Sequence, residues 1–218
     1  MKGIFFDLDN TLIDRASAFE GYLQDLVLRF PGVFRDRAAQ VSLRQLDDAG
    51  LRDRPSFCRL AAERYPGVWR SPAEVWQDFA AGLTRAVEFD PRVVAMVERL
   101  ADRFTLAVVT NGSALRQREK LSRARLDGLF ASVVISEEVG VEKPDPEIFR
   151  RALAATGLAA EEVLFVGDDP QRDVAGAQGA GMRTCWVSHH RAYPPGPPRP
   201  SLFVTAVEEL ERVLPGLR

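Results

Sequence analysis

The spacing of apolar residues changes along the chain. Ile4, Phe5 and Phe6 form a continuous apolar run that meets acidic residues directly. Such a run predicts a short strand at residues 3–8, buried on both faces as in a parallel sheet. From residue 15 to about residue 86, apolar residues recur at helical spacing, with Pro and Gly between the periodic stretches. This segment is therefore predicted to be a small all-helical bundle.

Capping residues indicate where the helices of this segment begin and end. Gly50 is expected to be the C-cap of the second helix, because Gly readily adopts the left-handed conformation. Ser71 and Glu74 suggest a capping box at the start of the fourth helix, with Pro72 at its first helical position. The predicted helices cover residues 19–30, 35–49, 56–65 and 71–86.

Beyond Asp90, short apolar runs alternate with helical stretches. The predicted strands are 105–110, 133–136, 163–167 and 183–188, and the predicted helices are 91–102, a helix through 123, 146–156 and a small-residue helix to 180. A last short strand and helix follow a stiff proline-rich loop at 194–200. This alternation predicts an α/β fold with a doubly wound, Rossmann-like parallel sheet. The first strand belongs to that sheet, so residues 15–86 become an insertion in a core of residues 1–14 and 87–218.

Composition restricts the function classes. The chain has 218 residues, 46% of them hydrophobic, and a net charge of −2, so nothing indicates a nucleic-acid or anionic-membrane partner. No apolar stretch approaches the ~18 residues of a membrane span. Cys58 and Cys185 are too few for a disulfide framework or a cysteine-based zinc site and are expected to be core thiols. The N-terminus does not resemble a signal peptide, so a cytoplasmic protein is expected.

Polar side chains follow the ends of four predicted strands. They are Asp7 and Asp9 after the first, Thr110 and Asn111 after the second, Lys143 in the loop beyond the third, and Asp168, Asp169 and Asp173 after the fourth. Asp7 and Asp9 alone also fit a turn that leads into a helix. In a parallel sheet, however, all four ends converge on one crevice. Acids gathered there need a cation, and an all-oxygen ligand set with few protein ligands favours Mg²⁺.

Four motifs occur in a fixed order, namely DLDNT, VVTNG, EKPDP and GDDPQRDVAGA. With them the chain resembles the haloacid dehalogenase superfamily of phosphohydrolases. The resemblance implies a Mg²⁺-dependent phosphatase that acts on a small phosphorylated metabolite. Asp7 would attack phosphorus and form an aspartyl-phosphate. Asp9 would protonate the leaving alcohol and then activate the water that hydrolyses the intermediate.

The same resemblance implies roles for the polar residues beyond the other strands. Thr110 and the backbone N–H of Asn111 would bind the phosphoryl oxygens. Lys143 would neutralise the charge of these oxygens and steady Asp7. Both roles fit phosphoryl transfer, in which catalysis is mostly positioning and charge neutralisation.

The implied metal site draws on three acids. Asp7 and Asp168 would bind Mg²⁺ with their side chains and Asp9 with its backbone carbonyl. Asp173 would act through a metal-bound water or by orienting Lys143. The chain departs from the commonest pattern in having Asp169 where Ser or Thr is usual. Asp169 is either an extra metal ligand or, as we favour, a partner of a helix N-terminus.

Asp9 also separates two chemistries of the superfamily. Dehalogenases resemble this nucleophile motif but lack an acid two positions after the nucleophile. A leaving alkoxide needs a proton and a halide does not, so Asp9 favours cleavage of a phosphate ester.

The helical insertion resembles the caps that close over the site in this superfamily and select substrates. Four of its arginines are candidates for contacting an anionic substrate, although a solvated helix face is the favoured interpretation of each. These arginines are Arg15, Arg44, Arg52 and Arg54. Trp69 and Trp76 are expected to pack the bundle. His189 and His190 are interpreted as surface residues because no third metal ligand lies near them.

Two alternative functions remain open at this point. A phosphomutase would pass the aspartyl-phosphate to another sugar hydroxyl instead of to water, using the same motifs. A phospho-aspartate receiver is disfavoured by the helical insertion and by the early position of Asp7. The substrate is also open among phosphoglycolate, nucleotides and sugar phosphates.

Overall fold

The computed structural model describes residues 1–50 and 52–214. Contacts within the chain divide them into two compact units. One unit lies within residues 15–87, and the other combines residues 1–14 with residues 88–214. The helical residues are thus an insertion between two parts of the unit that contains the sheet.

The inserted unit is a helical bundle. Its helices are α1 Arg15–Arg29, α2 Pro31–Phe34, α3 Arg37–Asp47, α4 Arg54–Arg64 and α5 Pro72–Arg85. Aromatic rings fill its core, with ring centroids 5.5 Å apart for Tyr22 and Phe79 and 4.6 Å apart for Phe57 and Phe79. Gly82 of α5 packs against Tyr22 so closely that a Cβ atom there would overlap the ring. A glycine at this position therefore allows α1 and α5 to approach.

One helix end in the bundle differs from the sequence-based expectation. Gly50 is not the C-cap of α3, because Asp48 takes that position in the left-handed conformation with φ 51°. Asp tolerates this conformation better than most residues. As expected, α1 ends before Pro31, at Arg29, and Pro31 stands at the first position of the short helix α2, where its missing N–H costs nothing.

Four side chains of the bundle test the prediction further. Arg15 was expected on a solvated face but is buried. Its two terminal nitrogens donate hydrogen bonds to the two carboxylate oxygens of Asp47, at 2.9 and 2.6 Å, so its charge is paired inside the bundle. Trp69 packs inside as expected, whereas Trp76 is 45% exposed and does not pack the core. Residues at the predicted capping box form only half of it, since Ser71 Oγ accepts the Glu74 N–H.

The second unit is built on a six-stranded sheet. Its strands are β1 Gly3–Phe6, β2 Thr105–Thr110, β3 Ser132–Ile135, β4 Val163–Gly167, β5 Arg183–Val187 and β6 Leu202–Val204. The spatial order is β3-β2-β1-β4-β5-β6, and every neighbouring pair is parallel. The doubly wound parallel sheet predicted from the sequence is thus confirmed.

Helices and short turns connect these strands. The helices are α6 Pro91–Ala101, α7 Ala114–Arg123, α8 Ser136–Val139, α9 Pro146–Thr156, α10 Gly176–Gly179 and α11 Leu210–Val213. A π-helical turn, Pro170–Ala175, precedes α10 in the stretch predicted as one small-residue helix. None of the helices in the described residues is long and apolar enough to span a membrane.

Strand β1 lies in the middle of the sheet and is apolar and buried throughout. Phe5 stands beside Ala107 on one side and Phe165 on the other. The strand ends at Phe6, earlier than predicted, because the chain then turns and the N–H groups of Leu12 and Ile13 both donate to the Leu8 carbonyl at 3.0 Å. This turn brings the acids after β1 to the edge of the sheet.

Candidate active site

The site lies where the strand order reverses. From β1 the chain builds the sheet outward through β2 and β3, and it then returns to place β4 on the other side of β1. Ligands of open α/β sheets bind at such a point, outside the carboxyl ends of the strands. Asp7 follows β1 and Asp168 follows β4, and the Asp7 N–H donates to the Val166 carbonyl at 2.9 Å. The two acids are therefore fixed to neighbouring strands.

Three buried carboxylates meet at this edge. Asp7, Asp168 and Asp173 each offer an oxygen within 4.8 Å of the others. The buried ammonium of Lys143 lies 2.5 Å from Asp7 Oδ1 and 2.7 Å from Asp173 Oδ1. Hard divalent cations prefer oxygen ligands of this kind, so the donor set fits Mg²⁺. In the described residues, no other group of acids, histidines or cysteines has this geometry.

Asp173 contacts Lys143 from the helical turn after β4. Its Oδ2 accepts the backbone N–H of Asp169 at 2.9 Å, and its Oδ1 accepts from the lysine. Gly167 makes room for this arrangement, because a Cβ atom there would overlap the Asp173 carboxylate. The side chain of Asp169 accepts the N–H groups of Gln171 and Arg172 and so caps the turn.

Asn111 fixes the backbone of Lys143. Its side-chain oxygen accepts the Lys143 N–H at 2.8 Å, and its side-chain nitrogen donates to the Lys143 carbonyl at 3.0 Å. The lysine lies in a loop, yet its peptide groups are tied to the end of β2. The role expected of the Asn111 backbone N–H, binding of a phosphoryl oxygen, stays a prediction.

Asp9 is not one of the three clustered carboxylates and is paired with Lys120. Lys120 Nζ lies 2.8 and 2.7 Å from its two carboxylate oxygens. Gln117 Nε2 donates to Asp9 Oδ2 at 3.1 Å and to the hydroxyl of buried Thr110 at 2.7 Å. The Thr110 hydroxyl thus accepts from Gln117, which leaves its own O–H to donate to an anionic ligand. Asp9 and Thr110 are linked through one amide.

Arg191 completes the surroundings of Asp168. One of its terminal nitrogens lies 2.9 Å from both the Asp168 carbonyl and Asp168 Oδ2. The indole of Trp186 on β5 donates to the same carbonyl at 2.8 Å. These contacts fix the Asp168 backbone and one carboxylate oxygen.

Burial changes the titration of the cluster. It raises the pKa of Asp168 to about 7, with a further rise from the charge of Asp173 and an opposing effect of Arg191. It also raises the pKa of Asp7 well above its usual range, against the opposing charge of Lys143. Burial alone would lower the pKa of Lys143, but the charges of Asp173 and Asp7 raise it above its ordinary value. The lysine is therefore a cation at neutral pH.

The metal-free protein is expected to become less stable from pH 5 to pH 8 because of Asp168. The pKa of Asp168 in the folded protein is about 7, above its ordinary value of 3.8. The contribution of this carboxyl group to the unfolding free energy is therefore fully present below pH 3.8 and is lost as the pH rises through about 7. At about 1.4 kcal/mol per pKa unit, the loss is about 2 to 3 kcal/mol in unfolding free energy. Urea unfolding with EDTA at both pH values measures it. Asp168→Asn should remove this part of the decrease, and an equal decrease in both proteins would contradict the assignment.

Sequence reasoning missed three polar residues at the site. Gln117 had a detectable signal, since it shares one helix face with the core residues Leu121 and Ala124. Lys120 lies one turn from Gln117 on the same helix. Arg191 stands in an irregular loop, where no periodicity indicates which way a side chain points.

The remaining residues singled out in the sequence are the arginines of the helical unit, two histidines and two cysteines. The arginines of the helical unit are largely engaged with acids and carbonyls of that unit: Arg15 and Arg54 with Asp47, Arg44 with Glu20, and Arg52 with the Leu46 carbonyl. His189 and His190 are exposed, and the His189 ring nitrogen lies 2.6 Å from the Asn10 carbonyl. Cys58 and Cys185 are buried free thiols, as expected.

Comparisons with known proteins agree with this architecture. Among curated relatives, a phosphoserine phosphatase of Thermus thermophilus is 34% identical over 86% of this chain and 88% of its own length. A glyceraldehyde 3-phosphate phosphatase of Pyrococcus abyssi is 30% identical over 87% of this chain and 82% of its own length. The fold matches that of YfnB, a putative hydrolase of Bacillus subtilis solved with magnesium, at a TM-score of 0.84, 22% identity and 98% coverage of both chains.

A family model also matches most of the chain. The model described as haloacid dehalogenase-like hydrolase matches residues 4–187, which include all four motifs and the helical insertion. The superfamily resemblance seen in the sequence is thus confirmed. Because the match covers most of its length, the chain belongs to the haloacid dehalogenase-like hydrolases.

Proposed function

We propose that the protein is a Mg²⁺-dependent phosphatase that hydrolyses a small phosphorylated metabolite through an aspartyl-phosphate. The observation that carries the proposal is the buried pair of Asp7 and Lys143, 2.5 Å apart at the reversal point of the sheet. A carboxylate and an ammonium in this position suit attack on an anionic phosphoryl group. The two curated relatives described above are both named as phosphatases, which supports the same reaction class.

Asp7 and Asp168 would hold the ion with their side chains, and Asp9 with its backbone carbonyl. Bound Mg²⁺ would neutralise charge on the phosphoryl oxygens. Asp173 lies close enough to contribute an oxygen, but its contact with Lys143 favours an orienting role. The buried carboxylates fit this assignment because the single ammonium of Lys143 does not neutralise three of them, and the remaining charges would repel one another in a medium that screens charge poorly.

In the first step, a carboxylate oxygen of Asp7 attacks phosphorus and the bond from phosphorus to the leaving oxygen breaks. Asp9 enters this step protonated and gives its proton to that oxygen, so an alcohol leaves instead of an alkoxide. The carboxylate that remains is the form that pairs with Lys120. In the second step, Asp9 takes a proton from water, the water oxygen attacks phosphorus, and the bond to Asp7 breaks. Inorganic phosphate leaves, and Asp7 is a carboxylate again.

Thr110, Asn111 and Lys143 would bind the phosphoryl oxygens during both steps. The Thr110 hydroxyl already accepts a hydrogen bond from Gln117, so its proton suits an anionic oxygen. Lys143 supplies the positive charge and stays charged because of its acidic neighbours. These groups are held before the substrate binds, which reduces the reorganisation needed in the transition state.

The helical unit would act as the cap that selects the substrate. The chain enters it at Arg15, six residues after Asp9, so the insertion directly follows the loop that carries the nucleophile. Exclusion of water by a lid protects such an intermediate from side reactions.

The function is tested by phosphate release from a panel of phosphate monoesters. Phosphoserine, glyceraldehyde 3-phosphate, phosphoglycolate, a nucleoside monophosphate and a sugar phosphate are incubated with purified protein and Mg²⁺. We expect release from at least one compound, loss of activity with EDTA, and recovery with added Mg²⁺. Absence of release from all of them and from p-nitrophenyl phosphate would contradict the phosphatase, and indifference to EDTA would exclude the ion. Transfer of the phosphoryl group to a second sugar hydroxyl would identify a mutase.

A further inference from the structure

Helix α7 directs two polar side chains at the acid–base residue. It begins after Ser113, whose hydroxyl accepts the Arg116 N–H, and so follows directly the segment that carries Thr110 and Asn111. Gln117 and Lys120 are three residues apart and therefore lie on neighbouring positions of one helix face. Both reach Asp9, which lies more than 100 residues earlier in the chain.

The contacts of Lys120 differ from those of the other charged residues on α7. Its ammonium contacts both oxygens of Asp9, and its side chain is only 13% exposed. Arg118 pairs with Glu138 on the surface with a side chain that is 56% exposed. A lysine is seldom buried to this extent unless its charge is paired. The burial of Lys120 is therefore tied to Asp9.

Gln117 restricts Asp9 from a second direction. Its side chain is 98% buried, and its amide nitrogen donates both to Asp9 Oδ2 and to Thr110. A buried amide costs stability unless it is hydrogen-bonded, so these contacts hold the amide in place. Two donors from one helix thus fix the rotation of the Asp9 carboxylate.

The two acids of the first motif are paired with different lysines. Lys143 contacts Asp7, and Lys120 contacts Asp9. Two carboxylates two residues apart repel each other, and a separate cation for each one keeps them in distinct positions. Asp7, the proposed nucleophile, is thereby held beside Lys143, and Asp9 is held beside α7.

We infer that Lys120 and Gln117 are positioning residues that act through Asp9 in the proposed phosphatase reaction. Proton transfer requires a carboxyl group within hydrogen-bonding reach of the leaving oxygen. A displacement of about 1 Å in such a group can cost about 10²-fold in rate. The inference rests on the proposed function and assigns to α7 the task of setting the place from which Asp9 exchanges its proton.

The test compares two leaving groups in wild type and Lys120→Met. The ratio kcat/KM reports the steps up to release of the alcohol. The two leaving groups differ in these steps, because p-nitrophenolate leaves without a proton whereas an alkyl alcohol needs one. We expect kcat/KM to fall about 10- to 10²-fold for an alkyl phosphate, the scale of general acid catalysis, and less than about 3-fold for p-nitrophenyl phosphate. Lys120→Arg should recover part of the alkyl rate, and Gln117→Met should lower it in the same selective way.

Two controls separate positioning from general damage. Arg118→Met, on the same helix, should leave both substrates unaffected. Asp9→Asn combined with Lys120→Met should lose no more alkyl-phosphate activity than Asp9→Asn alone, because residues that act through one group are not additive. An equal loss on both substrates, additive losses, or a full alkyl rate in Lys120→Met would overturn the inference. A wild type without activity on either substrate would instead contradict the phosphatase.

Discussion

Asp7→Asn is expected to abolish turnover of p-nitrophenyl phosphate, with a loss of at least about 10³-fold, the scale seen when a covalent nucleophile is removed. An amide oxygen is a poor nucleophile and cannot form the aspartyl-phosphate. The leaving group needs no proton, so the loss reports the attack itself and not the role of Asp9. Steady-state phosphate release measures the rate, and acid-quenched labelling with radioactive substrate should detect phosphoprotein in wild type alone.

The Asn variant should fold normally. Burial raises the pKa of Asp7, which means that the charged side chain is costly in the metal-free protein, and an amide removes that cost. Its unfolding free energy with EDTA at pH 8 is therefore expected to equal or exceed that of wild type. Asp102→Asn, at the exposed end of α6, is the matched control and should retain full activity. Wild-type turnover in Asp7→Asn would rule out the covalent mechanism.

Lys143→Met is expected to lower the unfolding free energy of the metal-free protein by about 3 to 5 kcal/mol, the usual cost of leaving buried charges without their partner. The substitution keeps an unbranched side chain only one atom shorter but leaves Asp7 and Asp173 without their shared cation. Phosphatase activity should fall by at least about 10²-fold, because a donor to the developing phosphoryl charge is lost. Urea unfolding at pH 8 with EDTA measures the first effect.

Lys2→Met is a control for this substitution. Lys2 pairs with Glu162 at the surface with a side chain that is 69% exposed, and solvent screens exposed pairs of this kind so that they contribute little to stability. Combining Lys143→Met with Asp7→Asn should recover part of the lost stability, since one of the unpaired charges is removed. Equal unfolding midpoints for Lys143→Met and Lys2→Met would show that the buried ion pairs do not stabilise the fold.

The acids and the lysine of the site could be predicted because the fold itself brings them together. Strands of a parallel sheet end at one edge, so Asp7, Asp168 and the loop with Lys143 converge whenever the apolar runs are recognised as strands. Strand positions were mostly predicted to within a residue or two, since buried parallel strands are unbroken apolar runs. The family was recognisable for the same reason, because its motifs lie at these strand ends.

The surroundings of these residues were harder to predict because they depend on long side chains. Arg15 looks like a surface residue in the sequence, and only the position of Asp47, 32 residues later, explains its burial. Lys120 and Arg191 reach acids from a helix and from an irregular loop. The sequence shows that such residues are charged, but it does not show which oppositely charged residue each of them contacts.

The two hydrogen bonds between the Asn111 side chain and the Lys143 backbone have an evolutionary consequence. They attach both the N–H and the carbonyl of Lys143 to the residue that follows β2. Exchange of Asn111 for a residue that cannot both donate and accept would therefore release the backbone of a lysine that lies 32 residues later in the chain, so the two positions are expected to change together or not at all.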